Sequence, residues 1–241
     1  MDINKISGVT VLQFSGGKDS LACLMLLKDR LHEITVLWCD SGDSFPETRL
    51  QMDKVKAICP SFVVANGQQP MQVLNSGYPV DVLPIRNHVQ IQHIAQQGRL
   101  KLQGFAECCN NNLWKPMHKA TLALGATTII RGQKLVDSHK APVKNGDVVD
   151  GITYIFPLEN WTDEQVLEFV KDSNLLPSHY VEGGTSLDCM MCTAYLAENK
   201  WKRHYLARLH PETSLETERR LKLIKNEIER DMQHFNIGNL P

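Results

Sequence analysis

The chain has 241 residues, of which 42% are hydrophobic and 22% charged, a composition typical of a soluble globular protein with a sizeable core. Its 26 Lys and Arg residues nearly balance 27 Asp and Glu residues, so a net charge of −1 excludes the global basic field of a non-specific nucleic-acid binder. No segment approaches the roughly 20 apolar residues of a membrane span, and residues 1–5 do not lead into a signal-peptide apolar region. We therefore expect a cytoplasmic protein without a membrane segment.

Predicted strands and helices alternate along much of the chain. Short β-branched apolar runs indicate buried strands, and apolar residues at helical spacing indicate helices between them. This alternation requires parallel strands with helical crossovers, so we predict an α/β fold with a Rossmann-like parallel sheet and helices on both faces. In chain order, the predicted elements are a strand at 9–14, a loop at 15–20, a helix at 21–31, a strand at 34–40, a helix at 47–59, a strand at 61–65, a helix at 116–124, strands at 127–130 and 151–156, and a helix capped by Thr162 and Gln165.

The periodicity of the sequence ends near Leu175. Proline and glycine residues then mark an irregular segment that leads to a Cys-x-x-Cys motif, and a charged amphipathic helix is predicted from 214 to 233. We therefore divide the chain into an α/β domain at 1–175 and a C-terminal, cysteine-bearing helical extension at 176–241.

A glycine-containing loop with one lysine lies between the first predicted strand and helix. Backbone N–H groups and the helix dipole create an anion site at such a position, glycines let phosphate oxygens approach the main chain, and Lys18 adds a positive charge. Asp19 follows the lysine, so the loop is not a Walker A motif. A solvated glycine turn is the alternative interpretation. The residues of the loop are Ser15, Gly16, Gly17, Lys18, Asp19 and Ser20.

This loop resembles the pyrophosphate loop of the adenine nucleotide α-hydrolase superfamily, whose signature S-G-G-x-D-S it matches at all six positions. The resemblance implies a HUP-type sheet that binds an adenine nucleotide, and an enzyme that cleaves ATP at the α-phosphate to AMP and pyrophosphate. For this reaction we also expect a Mg²⁺ ion on the phosphate oxygens, with Asp19 or Asp40 nearby. The candidate catalytic residues are then Lys18, Asp19 and Lys134.

Further segments are similar to those of phosphoadenosine phosphosulfate (PAPS) reductases, one branch of this superfamily. The segment after the second strand resembles D-T-G-x-x-F-P-E-T, with Ser41 in place of threonine. The segment after the 127–130 strand resembles the phosphate-facing G-x-R-x-x-x-S, with Lys134 in place of arginine, although a solvated loop is the alternative. Residues 157–166 resemble P-(I/L)-x-x-W-(S/T)-x-x-(D/E)-V, where we expect Trp161 to pack in the core. The predicted nucleotide site thus gains Asp40, Ser41, Arg131, Gly132 and Lys134.

Seven cysteines, an odd number, argue against a disulfide framework and favour metal or redox chemistry. Adjacent Cys108 and Cys109, with the Cys189-x-x-Cys192 motif, offer four thiolates for zinc or an iron–sulfur cluster, and the adjacent pair favours a cubane. The set resembles the CC…CxxC ligands of 4Fe–4S adenosine phosphosulfate (APS) reductases, which implies a 4Fe–4S cofactor. Burial of all four as structural thiols is the alternative. Burial is also the prediction for Cys23, Cys39 and Cys59.

One feature of the reductases is missing from the chain. Reductases carry a catalytic cysteine in a C-terminal E-C-G-(I/L)-H segment, whereas no cysteine follows Cys192 here. Because the loop also keeps Lys18 and both glycines of ATP-using relatives, our first hypothesis is an ATP pyrophosphatase linked to sulfur transfer or nucleic-acid modification. The alternatives are a sulfite-forming APS or PAPS reductase that uses an external thiol, and a non-catalytic nucleotide-binding module.

A basic stretch follows the Cys-x-x-Cys motif. It offers a contact surface for a protein partner or nucleic acid, and a solvated helix face is the alternative. The sequence alone leaves open whether the chain forms a homo-oligomer. The basic residues are Lys200, Lys202, Arg203, His204 and Arg208.

Overall fold

The computed structural model describes residues 6, 8–95, 98–138, 140–187, 189–195 and 200–233. Its strands are β1 (Thr10–Gln13), β2 (Ile34–Asp40), β3 (Phe62–Asn66), β4 (Tyr78–Val80), β5 (Leu102–Gly104), β6 (Thr128–Ile130), β7 (Val148–Val149) and β8 (Ile152–Ile155). Its α-helices are α1 (Lys18–Leu26), α2 (Pro46–Ile58), α3 (Gln69–Ser76), α4 (Val89–Ala95), α5 (Phe105–Cys109), α6 (Lys115–Ala123), α7 (Asp163–Val170), α8 (Ser178–Val181), α9 (Lys200–Leu209) and α10 (Pro211–Met232). Short 3₁₀ helices at Lys28–Glu33 and Ile85–Asn87 and a π-helical turn at Asn110–Trp114 complete the helical segments.

The contacts between residues divide the chain into two compact units, each described by itself below. This partition differs from the predicted domains at 1–175 and 176–241, which stay a prediction. The first unit contains Met1–Asp40, Ser44–Gly67 and Leu113–Leu187, and the second contains Ser41–Asp43, Gln68–Asn112 and Asp188–Pro241.

A six-stranded sheet forms the centre of the first unit, in the order β3-β2-β1-β6-β8-β7. Neighbouring strands are parallel except for the antiparallel pair β7 and β8. β1 lies between β2 and β6, and its Leu12 pairs with Val36 on one side and Ile130 on the other. The carboxyl ends of these three strands therefore meet at one edge of the sheet, where open α/β folds bind ligands.

Side chains alternate between the two faces of this sheet, because successive strand residues point to opposite sides. Leu12 and Val36 join a core cluster with apolar residues of α1, α2 and α7. Val11 and Leu37 point the other way and pack with Met117 and its neighbours on α6. Helices thus cover both faces, which confirms the predicted α/β fold with its Rossmann-like sheet.

The predicted cap of α7 is also present. The Thr162 hydroxyl accepts a hydrogen bond from the Gln165 backbone N–H (3.3 Å), and the Gln165 side-chain oxygen accepts one from the Thr162 N–H (2.8 Å). This reciprocal capping box fixes the start of the helix. It leaves Asp163 and Glu164 in the first turn of α7.

The second unit has a small parallel sheet of β4 and β5 that the sequence pattern does not predict. Val80 and Leu102 of these strands pack against Ile224 of α10, the charged amphipathic helix expected at 214–233. The side chain of Arg99, only 5% exposed, lies 3.1 Å from Glu227 and 2.8 Å from Asp231 of the same helix. Apolar packing and a buried ion pair together hold α10 on this unit. Among the described residues, no helix is both long and apolar enough to cross a membrane.

Candidate nucleotide and cysteine sites

The loop between β1 and α1 is organised by its own two serines. The Ser20 hydroxyl accepts a hydrogen bond from the Gly16 N–H (3.2 Å) and donates one to the Gly17 carbonyl (2.9 Å). The Ser15 hydroxyl accepts one from the Gly17 N–H (3.3 Å). Gly16 has a φ of +88°, a left-handed conformation that favours glycine. The S-G-G-x-D-S sequence thus fixes a tight loop directly before the N-terminus of α1.

A second glycine brings the loop after β6 against this first turn. A Cβ atom on Gly132 would lie 2.7 Å from the backbone carbonyl carbon of Asp19. Real side chains do not come this close, so only glycine lets the two segments approach. This contact brings Gly132, predicted for the nucleotide site, directly against the segment at residues 15–20.

Two lysines and three aspartates form an ion-pair group beside the loop. Lys134 Nζ lies 2.5 Å from Asp19, 2.9 Å from Asp137 and 3.3 Å from Asp163. Lys18 Nζ lies 2.6 Å from Asp163 and 3.0 Å from Asp19. The structure therefore joins Lys18, Asp19 and Lys134, the three candidate catalytic residues, in one group.

The environment of this group fixes its charges. Burial of Lys134 disfavours its ammonium form, but hydrogen bonds to Asp19 and Asp137 outweigh that cost and raise its pKa above the ordinary lysine value. A hydrogen bond from Lys18 lowers the pKa of Asp163. Lys134 is therefore a cation and Asp163 an anion at neutral pH. Asp163 and Asp137 are not predicted from the sequence. The sequence signal for Asp163 is its place as an acidic residue directly after the Thr162 cap.

Arg131 and Asp40 have other partners in the first unit. Arg131 donates to the Gln13 side-chain oxygen at 2.5 Å, its guanidinium lies 5.7 Å from the centre of the Tyr154 ring, and burial lowers its pKa. Asp40 accepts a hydrogen bond from Ser44 (2.9 Å) and pairs with Arg49 (2.7 Å). These contacts give both residues structural roles at strand ends, and their binding of nucleotide stays a prediction.

All four cysteines of the predicted ligand set lie in the second unit. Cys108 is 4% exposed, and burial, with the nearby charges of Cys109 and Cys192, raises its pKa to about 12. Cys189 Sγ donates to the hydroxyl of Ser41, a residue predicted for the nucleotide site, at 3.2 Å. Within the described part of the chain, no group of three or more His, Cys, Asp or Glu side chains is arranged to hold a metal ion.

The turn between Cys189 and Cys192 is held by two residues that the sequence analysis did not assign to it. The Asp43 backbone carbonyl and carboxylate accept hydrogen bonds from the backbone of 190–191 at 2.7 and 2.8 Å. Lys202 Nζ donates to the carbonyl oxygens of Cys189 (2.7 Å) and Cys192 (3.4 Å). Lys202 and Asp43 thus fix the backbone of this motif.

The predicted basic contact surface is wrong for Lys202, which is 5% exposed because α9 turns it inward against the cysteine motif. Arg203 forms a surface ion pair with Glu218 (2.7 Å). Lys200, His204 and Arg208 are exposed, and their contact with a partner stays a prediction.

Comparison with known proteins decides the family. The family model of the phosphoadenosine phosphosulfate reductase domain matches residues 9–195. The chain belongs to this family. The match includes the loop at residues 15–20, the Lys134 segment and all four cysteines of the second unit, while Lys202 and α10 lie beyond it.

The chain is similar in sequence to curated PAPS and APS reductases. A phosphoadenosine 5′-phosphosulfate reductase of Proteus mirabilis is 28% identical over 176 residues, covering 70% of this chain and 63% of that protein. An adenosine 5′-phosphosulfate reductase of Mycobacterium bovis is 34% identical over 96 residues, covering 38% of this chain and 37% of the relative. The chain thus spans less than two thirds of the length of either relative.

A solved member of the family shares the fold. The crystal structure of the PAPS reductase of Candida auris in complex with phosphate aligns with a TM-score of 0.51 and 16% identity, covering 78% of this chain and 83% of that one. At this identity the likeness concerns the fold alone.

Proposed function

We propose that this chain is an enzyme that binds the phosphates of an adenine nucleotide at residues 15–20, and that its substrate is a sulfonucleotide, APS or PAPS. The observation that carries the proposal is the placement of Lys18 and Lys134 beside the N-terminus of α1, the position at which backbone N–H groups favour anions. Membership of the PAPS reductase family, which is enzymatic, supports the choice of substrate. Because of this membership, we prefer the reductase hypothesis to the ATP pyrophosphatase hypothesis, which the intact loop alone favours.

The proposed reaction needs two thiols. One thiolate of an external dithiol attacks the sulfate sulfur of APS or PAPS. The bond between that sulfur and the phosphate oxygen breaks, and the adenosine phosphate leaves. The second thiolate then attacks the first thiol sulfur, which releases sulfite and closes a disulfide, so the dithiol supplies both electrons and two protons are released. Lys18 and the loop N–H groups stabilise the charge that develops on the leaving phosphate.

An external dithiol is proposed because the first unit, which contains the loop, keeps its own thiols inside. Cys23, Cys39 and Cys59 are all buried. Burial raises the pKa of Cys23, and it raises that of Cys39 to about 11. A buried thiol of high pKa is a poor nucleophile at neutral pH.

ATP cleavage at the α-phosphate is the second candidate. The loop retains Lys18, which favours this candidate because a lysine can neutralise the charge of pyrophosphate. Lys18 lies between the carboxylates of Asp19 and Asp163. This reaction would require Mg²⁺, which keeps several waters and takes one or two carboxylates plus substrate phosphates. Asp19 already contacts Lys18 and Lys134, and Asp40 already contacts Arg49, so Mg²⁺ would have to replace a cation at either carboxylate.

The substrate can be decided by one set of anaerobic incubations. The full chain is given APS, PAPS or ATP separately, with Mg²⁺ and reduced thioredoxin, and products are measured by nucleotide chromatography and a sulfite assay. We expect sulfite and an adenosine phosphate from APS or PAPS, and little product from the Lys18→Ala variant. Exposed Lys144→Ala is the matched control and should retain activity. AMP and pyrophosphate from ATP, without sulfite from either sulfonucleotide, would establish the second candidate instead.

We also propose that Cys108, Cys109, Cys189 and Cys192 hold a 4Fe–4S cluster. The described residues contain no group arranged for a single metal ion, but a cubane binds one thiolate at each of four irons and so spaces its ligands more widely. All four thiols lie in one unit, and Cys109 and Cys192 are near enough to Cys108 to raise its pKa. This set of four thiols matches the ligands that a cubane requires. When bound, the cluster would cross-link α5 to the turn between Cys189 and Cys192.

Replacing Cys108 or Cys192 by serine should remove most of the iron from anaerobically purified, brown protein, because the hydroxyl is a poor ligand for iron in a cluster. Iron is measured per chain by elemental analysis. Cys59→Ala, at a buried cysteine of the first unit, is the matched control and should keep its iron. Stoichiometric zinc in the wild type, or iron that survives serine at each of the four positions, would contradict the cluster.

A further inference from the structure

The Asp163 carboxylate contacts the ammonium group of Lys18, and the proposed function gives that same group the role of binding a phosphate. Asp163 Oδ1 is 2.6 Å from Lys18 Nζ and 3.3 Å from Lys134 Nζ. Lys18 begins α1 and Asp163 begins α7, so the ion pair connects the N-termini of two helices of the first unit. An anion that approaches Lys18 meets a carboxylate that already occupies it.

The three carboxylates of the ion-pair group differ in how easily they can be displaced. The side chains of Asp19 and Asp137 are 27% and 28% exposed and hold the buried Lys134. The side chain of Asp163 is 58% exposed. It can turn into water without burying a charge, whereas release of Asp19 or Asp137 would remove one of the two nearest partners of the buried Lys134 ammonium. Asp163 is therefore the displaceable member of the group.

We propose that Asp163 is an internal competitor for phosphate anions at Lys18 and thereby sets the affinity of the loop for its nucleotide. The inference rests on the proposed function of the loop. Two anions compete for one ammonium, so only molecules in which Asp163 has released Lys18 can bind phosphate fully. The apparent affinity is then reduced by the fraction of such molecules.

The test titrates inorganic pyrophosphate into the full chain by calorimetry, in the presence of a chelator and without Mg²⁺. Asp163→Asn removes the charge with little change of size, and it should bind pyrophosphate about three- to tenfold more tightly than the wild type. Glu164→Gln removes a carboxylate from the same helical turn and is the matched control, so its affinity should stay within about twofold. An effect transmitted through the stability of α7 would be the same in both variants.

A second background isolates the contact with Lys18. In Lys18→Ala protein, Asp163→Asn should give a gain of about twofold or less, because the ammonium for which the anions compete is gone. Unchanged or weaker binding by Asp163→Asn, while the wild type binds pyrophosphate, would overturn the role of Asp163 and leave the phosphate loop intact. If neither the wild type nor any variant binds pyrophosphate, both the loop's proposed function and the competitor are wrong.

Discussion

Gly132→Ala is expected to lower the free energy of unfolding by about 1 to 3 kcal/mol and to weaken nucleotide binding about tenfold or more. The new methyl group would lie 2.7 Å from the carbonyl carbon of Asp19, in backbone that cannot move alone. Either the loop after β6 or the first turn of α1 must shift. Both segments carry lysines of the ion-pair group, so a shift of either one misplaces the phosphate contacts.

Urea unfolding and nucleotide titration of the same preparations measure the two effects of Gly132→Ala. Gly104→Ala is the matched control, because a Cβ atom there meets no atom within 4 Å. We expect it to match the wild type in both measurements. Normal nucleotide binding by Gly132→Ala would show that the contact between the two loops does not shape the binding site.

Lys134→Ala should destabilise the first unit by about 2 to 3 kcal/mol, because it removes the buried partner of several carboxylates. The full cost of breaking a buried pair is reduced here, since Asp19 and Asp137 are 27% and 28% exposed and water screens them. Lys18→Ala should cost less stability, because Asp163 is 58% exposed, but it should weaken phosphate binding more. The two substitutions are thus expected to differ in effect, because Lys134 mainly stabilises the fold and Lys18 mainly binds the phosphate.

The pH dependence of the Lys134 contribution follows from the direction of its pKa shift. The pKa is raised in the folded chain, so the ammonium is fully charged in both states below the ordinary value of 10.5. The stability difference between wild type and Lys134→Ala should be constant between about pH 6 and about pH 9, and shrink only as the pH rises above the ordinary lysine value. Urea midpoints across this range check it. A difference that disappears between pH 6 and pH 9 would contradict the ion-pair assignment.

The sequence predicts the central part of the first unit well, for a physical reason. β1, β2 and β6 are buried on both faces, so they are short apolar β-branched runs, and the glycine-rich loop after β1 has few conformational alternatives. β4 and β5 have three residues each, which is too short for a clear alternation of apolar and polar residues. Their pairing comes from long-range packing that no local periodicity records.

The candidate site is predictable where it lies on one segment and unpredictable where it joins two. The loop motif gives Lys18 and Asp19 directly. The contact from Lys18 to Asp163 spans 145 residues, so no spacing rule could place it. Lys202 did carry a local signal: it shares helical spacing with buried Tyr205 and Leu206, which puts it on the inner face of α9.

The second unit has a consequence for synthesis, because its core is made from distant parts of the chain. Val80 and Leu102 are translated well before Ile224, and Arg99 precedes its partner Glu227 by 128 residues. During translation, the apolar side chains of β4 and β5 therefore stay without their packing partner on α10 until the ribosome has synthesised the 113–187 segment of the first unit and α10 itself. We expect this unit to be the slow-folding and chaperone-dependent part of the newborn protein, since distant contacts close late.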